Sequence, residues 1–302
     1  MAARGTTLVL AVAPHEVPAV ATQVAELAGG RLLRLLPRAA YVPPPPPPLP
    51  PPDATAVRAL WLPAAEHFTS LVRLENVTVR YGARIILHKL SWEVRPGERW
   101  AVLGPNGAGK STLLSLLNGD NPQAYAQAVW LFGRRRGTGE TVWDIRRRVG
   151  FASPELLTYF PGAPSCRAVV ASGFADSLAL GPAPPAHLAA ADCWLAVLGL
   201  AGFADVPLPQ VPASVQRLCL VARALVKAPP LLLLDEPAQG LDAGQLAHFR
   251  AVLDVICQAT NVALVYISHH AAELPASLTH TLRLEQGSAV VVAPPAPPAG
   301  NC

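Results

Sequence analysis

The sequence has few charged residues: they make up 15% of its 302 positions, whereas 51% of the positions are hydrophobic. A chain of this composition can bury a sizeable core, which excludes general disorder, and its length allows one large domain or two small ones. The formal net charge is only +4. So small a charge gives no indication of binding to nucleic acid or to an anionic membrane surface.

Cysteine is also scarce, with five residues that form no C-x-x-C pair. This excludes a disulfide framework and a zinc site built on paired cysteines, and it indicates a reducing compartment. The sequence has no run of the roughly 20 consecutive apolar residues that a membrane-spanning helix requires. The sequence therefore predicts no transmembrane segment of its own.

Proline, in contrast, is abundant and concentrated in the run YVPPPPPPLPPP at residues 41–52. Proline fixes φ and lacks an N–H group, so the run predicts a stiff polyproline II spacer; a docking site for a proline-recognising domain is the alternative. The predicted organisation is an N-terminal piece at 1–40, a linker at 41–70, a main domain at 71–292 and a disordered tail at 293–302.

The N-terminal piece contains an apparent internal repeat. EVPAVATQVAELAGG (16–30) aligns without gaps with ELPASLTHTLRLEQG (273–287), and each segment follows an apolar run, at 7–12 and at 262–267. A chance match between two amphipathic segments is the alternative. The repeat predicts that the N-terminal piece is the last strand, helix and strand of a second, upstream copy of the main domain.

In the main domain, three continuous apolar runs read as buried strands: 99–104, 231–237 and 262–268. Helical patterns separate these strands, which predicts a parallel sheet covered on both faces. The alternating segment LVRLENVTVRYG predicts an antiparallel sheet before them. An Ala/Leu-rich stretch at 161–212, with helical periodicity at 187–200, predicts an inserted helical subdomain.

The segment GPNGAGKS at 104–111 matches the pattern G-x-x-x-x-G-K-[ST], and it lies between a predicted strand and a helix predicted at 110–117. Glycines allow the backbone to surround a phosphate with its N–H groups, and the helix adds the positive end of its dipole. Lys110 is expected at the β- and γ-phosphates, Ser111 at Mg²⁺ and Thr112 at the α-phosphate. The residues predicted to contact ATP here are Gly104, Pro105, Asn106, Gly107, Ala108, Gly109, Lys110, Ser111 and Thr112.

The segment LLLLDEP ends a neighbouring strand in two acidic residues. Asp235 is predicted to hold Mg²⁺ at the carboxyl end of that strand. Glu236 follows it and is predicted to act as the general base toward water. A pair of charges that caps the strand is the alternative interpretation.

The order GPNGAGKST, LLLLDEP, GLD and ISHH resembles the ATP-binding cassette (ABC) ATPases over about residues 71–292. The resemblance implies an α/β fold: a P-loop NTPase of ABC type with a parallel sheet core, an antiparallel β subdomain and an inserted helical subdomain. It also implies that Tyr81 stacks on adenine, that Asp242 lies in the loop between paired cassettes, and that His269 is a catalytic switch beside Lys110 and Glu236. Within the family, LFGRRRGTGETVWDIRRRVGF and LLDEPAQGLD are most similar to the tandem ATPases associated with molybdate transport and photorepair.

The sequence departs from the family pattern at two places. The signature LSGGQ falls on residues 211–215, just before a helix predicted at 216–227. Pro212 has no hydroxyl or N–H group and Ala213 replaces a glycine, whereas Ser214 is expected to keep one contact. The usual glutamine after the strand near 149–151 is absent, and Glu155 is a hypothetical substitute. The family pairs two cassettes around two ATP molecules, so this chain is expected to have a complete pocket of its own but to contribute poorly to a partner's.

The resemblance implies ATP and Mg²⁺ as cofactors and a second cassette, in a homodimer or heterodimer, as a partner. Three functions stay open: the ATP-binding component of a transporter with a separate membrane permease, a regulatory or repair-associated ATPase without a permease, and a nucleotide-binding module that has lost turnover. The expected location is the cytoplasm or an organellar matrix or stroma, peripheral to a membrane. Two arginine triplets, at 134–136 and 146–148, are either a solvated surface or a contact patch for a partner subunit or for nucleic acid.

Overall fold

The computed structural model describes most of the chain, namely residues 7–12, 17–28, 30–42, 51–62, 66–176, 181–285 and 287–292. By its internal contacts the chain divides into two units, Met1–Pro48 and Leu49–Cys302. The greater part of the proline run (43–50) and the whole predicted tail (293–302) lie outside the described residues.

The first unit contains an antiparallel hairpin of β1 (Gln23–Ala28) and β2 (Arg31–Pro37). The helix predicted in this part of the chain is wrong, as is the strand predicted at 7–12, which has no regular secondary structure. Val17, Val20, Val24 and Leu27 fall on a helical stripe, but Val24 and Leu27 lie in strand β1, and Val17 and Val20 precede that strand. A short apolar segment can match both the 3.6-residue period of a helix and the two-residue period of a strand. The strand with which it pairs in the folded chain decides which of the two structures forms.

A short helix lies near the start of the second unit, in the range predicted to be linker. Helix α1 (Ala54–Leu60) starts at Asp53, whose Oδ1 accepts a hydrogen bond of 2.8 Å from the backbone N–H of Thr55. Val57 is fully buried in the hydrophobic core. The linker predicted at 41–70 is therefore too long, because α1 is packed into the second unit.

A six-stranded sheet forms the centre of the second unit, in the order β12-β11-β5-β10-β9-β8. Strands β8, β9, β10, β5 and β11 are parallel and β12 is antiparallel, which confirms the predicted parallel core. The strands are β5 (Arg99–Leu103), β8 (Val149–Ala152), β9 (Leu231–Asp235), β10 (Ala263–Ser268), β11 (His280–Glu285) and β12 (Ser288–Val292).

Both faces of the central sheet are buried. Successive residues of β9 and β10 enter different hydrophobic clusters: Leu232 and Leu264 join one, and Leu233 and Val265 join the other. All four side chains are 0% exposed. Side chains alternate between the faces of a strand, so two covered faces require the continuous apolar runs seen in the sequence.

The predicted antiparallel sheet has the order β4-β3-β6-β7. Its strands are β3 (Val72–Tyr81), β4 (Arg84–Val94), β6 (Ala128–Leu131) and β7 (Arg134–Arg135). Buried residues alternate with more exposed ones along β3, at Val72, Leu74, Val77 and Val79. This sheet thus has one covered face, as its sequence pattern predicts.

The remaining helices cover the sheets and build the predicted helical subdomain. They are α2 (Lys110–Leu117), α3 (Val142–Arg146), α4 (Cys166–Ala171), α5 (Pro185–Val197), α6 (Ala213–Leu225) and α7 (Ala243–Ala259). Helices α4, α5 and α6 pack against one another around Trp194, Leu195 and Leu218. In the described ranges, no helix combines the length and the apolar composition needed to cross a membrane.

Candidate functional site

The loop at 104–109 connects the end of β5 to the first residue of α2, as the sequence predicts. Gly109 precedes the helix with φ = 103°, and a Cβ atom there would lie 2.8 Å from Leu87 Cδ2 and 3.0 Å from the carbonyl oxygen of Ile86. Only glycine suits both the left-handed backbone and this close approach. No side chain caps α2, so the first N–H groups of the helix remain available to an anion.

Lys110 is the first residue of α2 and is only 7% exposed. Its Nζ donates hydrogen bonds of 2.6 Å to the carbonyl oxygen of Gly104 and 3.3 Å to that of Pro105. The same Nζ lies 4.0 Å from Oε1 of Glu236. The ammonium group is therefore held between the loop and a carboxylate, where it can compensate further negative charge.

Glu236 directly follows β9 and has φ = 44°, an uncommon left-handed conformation for this residue type. Its backbone N–H donates a 2.9 Å hydrogen bond to the carbonyl oxygen of Ile267 in β10. Its Oε1 lies 3.3 Å from Nδ1 of His269, which follows β10. Because parallel strands end at the same edge of the sheet, β5, β9 and β10 bring Lys110, Glu236 and His269 together.

A cavity of about 220 Å³ opens beside this group. Ser111 from α2, Asp235 from the end of β9 and Glu155 from the segment after β8 line it. Its remaining lining residues are Leu114, Ser115, Asn118, Asp120, Phe151, Ser153, Leu156 and Tyr159. The cavity thus unites the two predicted Mg²⁺ ligands with the hypothetical substitute for the missing glutamine.

The cavity disfavours a negative charge on Asp235. Burial raises the pKa of Asp235 to about 6, the carboxylates of Glu236 and Glu155 add to the increase, and Lys110 opposes it. A cation among these oxygen atoms would remove the penalty. The chemistry of the donors, a hydroxyl and two carboxylates, fits a hard divalent ion such as Mg²⁺.

Tyr81 lies at the end of β3, and 55% of its surface is exposed. Asn121 Nδ2 donates to the Tyr81 hydroxyl over 3.4 Å and to Ser115 Oγ over 2.9 Å. This link joins the antiparallel sheet to α2. Asn121 is only 2% exposed, but sequence reasoning missed it because it belongs to none of the motifs.

The signature segment differs from its prediction in where the helix starts. Helix α6 begins at Ala213 with Pro212 as its N-cap residue, whereas its predicted start is residue 216. Ser214 is therefore a first-turn helical residue. Gln216 Nε2 donates to the carbonyl oxygens of Leu208, at 3.2 Å, and Val211, at 3.1 Å, which ties the helix to the preceding segment.

Asp242 is the N-cap residue of α7. Its Oδ1 accepts a 2.9 Å hydrogen bond from the backbone N–H of Gln245, and the Gln245 side chain accepts one from the backbone N–H of Asp242. This capping box fixes the loop that follows Glu236. Arg217 Nη2 also donates to the carbonyl oxygen of Gln239 over 3.2 Å, so α6 and this loop are linked.

Most of the arginine triplets are occupied by ion pairs within the chain. Arg136 is 2% exposed and pairs with Glu140 at 2.7 Å. The other pairs are Arg146–Asp120, Arg147–Asp144 and Arg148–Glu66. These ion pairs within the chain argue against a contact patch, and the burial of Arg136 shows that the triplets are not simply a solvated surface.

A glycine-rich loop between a buried strand and a helix, with acidic residues at the end of a neighbouring parallel strand, defines the P-loop class of nucleotide-binding proteins. The ABC transporter family matches residues 87–239, half of the chain. The chain belongs to the ABC transporter family of ATP-binding cassette proteins. This confirms the resemblance and the fold class stated from the sequence.

Individual relatives agree with this assignment. The ABC transporter ATP-binding protein ModF of Escherichia coli (strain K12) is 45% identical over 223 residues, which are 73% of this chain and 45% of ModF. The zinc import ATP-binding protein ZnuC of Jannaschia sp. (strain CCS1) is 32% identical over 204 residues, 66% of this chain and 73% of ZnuC. Structurally, cbiO1 of Clostridium perfringens superposes with a TM-score of 0.65 at 19% identity, covering 75% of this chain and 89% of cbiO1.

The chain spans about half the length of the first curated relatives that it matches. It covers 45% of ModF and 46% of an uncharacterized ABC transporter ATP-binding protein, C323.04, of Schizosaccharomyces pombe.

Proposed function

We propose that residues 71–292 bind Mg²⁺-ATP and hydrolyse it, so that the closure of two cassettes around the nucleotide drives a further process. The observation that carries this proposal is the convergence of Lys110, Glu236 and His269 beside the cavity of Ser111 and Asp235. The phosphates would lie in the loop at 104–109, with Lys110 exchanging its carbonyl partners for phosphate oxygens. Tyr81 would stack on the adenine.

The hydrolytic role falls to Glu236. Its carboxylate would accept a proton from the attacking water, while His269, 3.3 Å from Oε1, orients that carboxylate and faces the γ-phosphate. Ser111, Asp235 and Glu155 would hold Mg²⁺, which offsets negative charge on the phosphates when bound. The carboxylate of Glu155 would give Mg²⁺ the oxygen ligand that the family's glutamine, absent after the strand near 149–151, usually gives.

Mg²⁺ is expected to strengthen ATP binding less at low pH. Below pH 6 its contribution to ATP affinity should decrease about tenfold for each unit by which the pH is lowered, because protonated Asp235 must lose its proton before it binds the ion. The raised pKa also means that the folded, ligand-free chain holds the Asp235 proton more tightly than the unfolded chain does. The contribution of Asp235 to the free energy of unfolding is therefore present in acid and lost as the pH rises through 6. Titrations of ATP with Mg²⁺ and with chelator, from pH 5 to pH 8, measure the effect.

The matched control is Asp235→Asn, over the same pH range, which accounts for protonation of the nucleotide itself. This variant should lose most of the Mg²⁺ contribution at every pH. It should also melt at a higher temperature than the native chain at pH 8, but not at pH 4. A Mg²⁺ contribution independent of pH in the native chain would contradict the assignment of Asp235.

The proposed partner is a second cassette, and the altered signature segment limits what this chain gives to it. Pro212 caps α6 without an N–H group or a hydroxyl, at the position where the family uses serine. We infer slow hydrolysis by the chain alone and faster turnover beside a cassette with an intact signature. The same feature favours the second candidate function, a nucleotide-binding module with impaired turnover.

Restoring the signature with Pro212→Ser and Ala213→Gly should raise turnover at least about tenfold, because the added serine hydroxyl and N–H group can reach the partner's nucleotide. Phosphate release, measured at protein concentrations high enough for dimers, checks this. Pro182→Ser, which makes the same exchange at an exposed position outside the signature, serves as control. A native chain that already turns over tens of ATP per second would refute the inference.

Transport is the process that we propose for this ATPase, with a separate membrane permease and a location peripheral to a membrane in the cytoplasm or an organellar matrix. The descriptions of ModF and ZnuC as ATP-binding proteins of transport systems support it. Co-purification with a membrane protein would distinguish it from a role without a permease.

We also infer that the first unit derives from the end of a second cassette, with 41–52 as the spacer between it and the main domain. The repeat of 16–30 at 273–287 supports this origin.

A further inference from the structure

The side chain of Tyr81, which is predicted to stack on the adenine, stands at the tight turn between β3 and β4. Tyr81 is the last residue of β3 and pairs with Arg84, so only two residues lie between the two strands. More than half of Tyr81 is exposed. Among the described residues, its hydroxyl has one hydrogen-bond partner, the side-chain amide of Asn121. Asn121 is therefore the residue that can fix the position of the ring.

The amide of Asn121 is buried and fully used in hydrogen bonds. Its Oδ1 accepts a 3.0 Å hydrogen bond from the backbone N–H of Gln123 and so caps the 3₁₀ helix Pro122–Ala126. A backbone N–H can only donate, so this contact identifies the amide oxygen and leaves Nδ2 with two protons to donate. Nδ2 donates to Ser115 Oγ over 2.9 Å and to the Tyr81 hydroxyl over 3.4 Å. These three bonds hold the amide in a single orientation.

Ser115 connects this amide to the helix that follows the loop at 104–109. Its Oγ donates a 2.7 Å hydrogen bond to the carbonyl oxygen of Thr112, so toward Asn121 it can only accept. The backbone N–H of Asn121 also donates to the carbonyl oxygen of Ser115 over 3.0 Å. Hydrogen bonds thus lead from Tyr81 through Asn121 and Ser115 to α2. They end in its first turn, where Thr112 is expected at the α-phosphate.

We propose that Asn121 is a positioning residue for the nucleotide: it holds the Tyr81 ring in place relative to the first turn of α2, so that base and phosphates are bound together. This rests on the proposed function, in which Tyr81 stacks on the adenine, and it names the residue that sets the position of the ring. A side chain that is already held loses little rotamer freedom when a ligand binds, and this increases the affinity.

Two variants of the full chain break the link from its two sides. Tyr81→Phe removes the hydroxyl and keeps the ring. Asn121→Ser keeps an oxygen that can cap the 3₁₀ helix but is too short to reach Tyr81. Each variant is titrated calorimetrically with Mg²⁺-ATP and with Mg²⁺ and inorganic tripolyphosphate, which has the phosphates but no base.

Each variant should bind Mg²⁺-ATP about threefold to tenfold more weakly than the native chain, the effect of losing one hydrogen bond. Its affinity for tripolyphosphate should stay within about twofold of the native value, because no base is present to contact the ring. The double variant should bind ATP within about twofold of the weaker single variant, since both changes remove the same bond.

Tyr125→Phe is the matched control, because it also removes a hydroxyl that accepts a hydrogen bond, here from Arg136 Nη2 over 3.0 Å. This variant should bind ATP as the native chain does. If Asn121→Ser does not fold, Asn121→Thr takes its place in every titration, since threonine also caps a helix and fills more of the space.

Equal losses of affinity for ATP and for tripolyphosphate would overturn the proposal, because they would show that Asn121 only supports the structure around α2. Additive losses in the double variant, or native ATP affinity in Tyr81→Phe, would also overturn it. If the native chain binds neither ligand, the proposed function fails and this inference with it. If the native chain binds both, the ratio of the two affinities in each variant tests the inference alone.

Discussion

Replacing Glu236 by glutamine is expected to reduce ATP turnover by at least about 100-fold while Mg²⁺-ATP still binds. The amide keeps the size of the side chain but cannot accept a proton from water. Glu236 has the geometry of a base, since its Oε1 lies 3.3 Å from Nδ1 of His269 and 4.0 Å from Nζ of Lys110. Phosphate release at saturating ATP measures the rate, and equilibrium titration measures the affinity.

Glu75→Gln is the matched control, because Glu75 is an exposed carboxylate on the antiparallel sheet that pairs with Arg73. This variant should retain the native rate. Glu236→Gln could instead bind ATP and show the same rate of ATP turnover as the native chain. In that case the chain is a nucleotide-binding module with impaired turnover, the function that the altered signature at Pro212 also supports.

Replacing Lys110 by alanine should weaken ATP binding by about 100-fold. A charge-assisted hydrogen bond contributes about 1.5–3 kcal/mol, and 1.4 kcal/mol corresponds to a factor of ten. Two such bonds to phosphate oxygens therefore account for the expected loss. Nucleotide-dependent increases in melting temperature, over a range of ATP concentrations, give the two affinities on one scale.

Lys89→Ala controls for the loss of a lysine, because Lys89 is exposed on β4. Lys110 also donates to two carbonyl oxygens of the loop, so its removal can loosen the loop without nucleotide. Melting of both variants in the absence of ATP separates this structural cost from the loss of affinity. Equal ATP affinity in Lys110→Ala and the native chain would be incompatible with the proposed phosphate site.

The central sheet was predictable because buried parallel strands leave a strong signal. Runs such as LLLL at 231–234 have no polar interruption, and a covered strand is the arrangement that suits them. The glycine pattern then fixed the loop and the helix Lys110–Leu117, which the structure reproduces to the residue. Local sequence and global fold agree in this part of the chain.

Three elements could not be assigned correctly from the sequence. The hairpin β1–β2 carries apolar residues that suit a helical and a strand period alike, and only cross-strand pairing decides. Helix α1 has only seven residues and follows the proline run, where the N-cap residue Asp53 is too weak a signal to distinguish a helix from a linker. Helix α6 begins at Ala213, three residues before its predicted start, because Ala213, Ser214 and Val215 extend the helix as far as Pro212, which has an extended conformation as its N-cap residue.

The candidate site was partly predictable for a geometric reason. Motifs at the carboxyl ends of parallel strands must meet at one edge, so Lys110, Asp235 and Glu236 were expected to be neighbours. The sequence does not specify the raised pKa of Asp235, because it depends on burial and on Glu155 from another segment. Asn121, which links Tyr81 to α2, likewise required the tertiary structure.

Calorimetric titration of the purified full-length chain with Mg²⁺-ATP is the most direct measurement of whether the loop at 104–109 holds a triphosphate. The account predicts saturable heat with one nucleotide per chain, greatly weakened in Lys110→Ala and preserved in Glu236→Gln. No heat with Mg²⁺-ATP in the native chain, or an unchanged isotherm in Lys110→Ala, would contradict it.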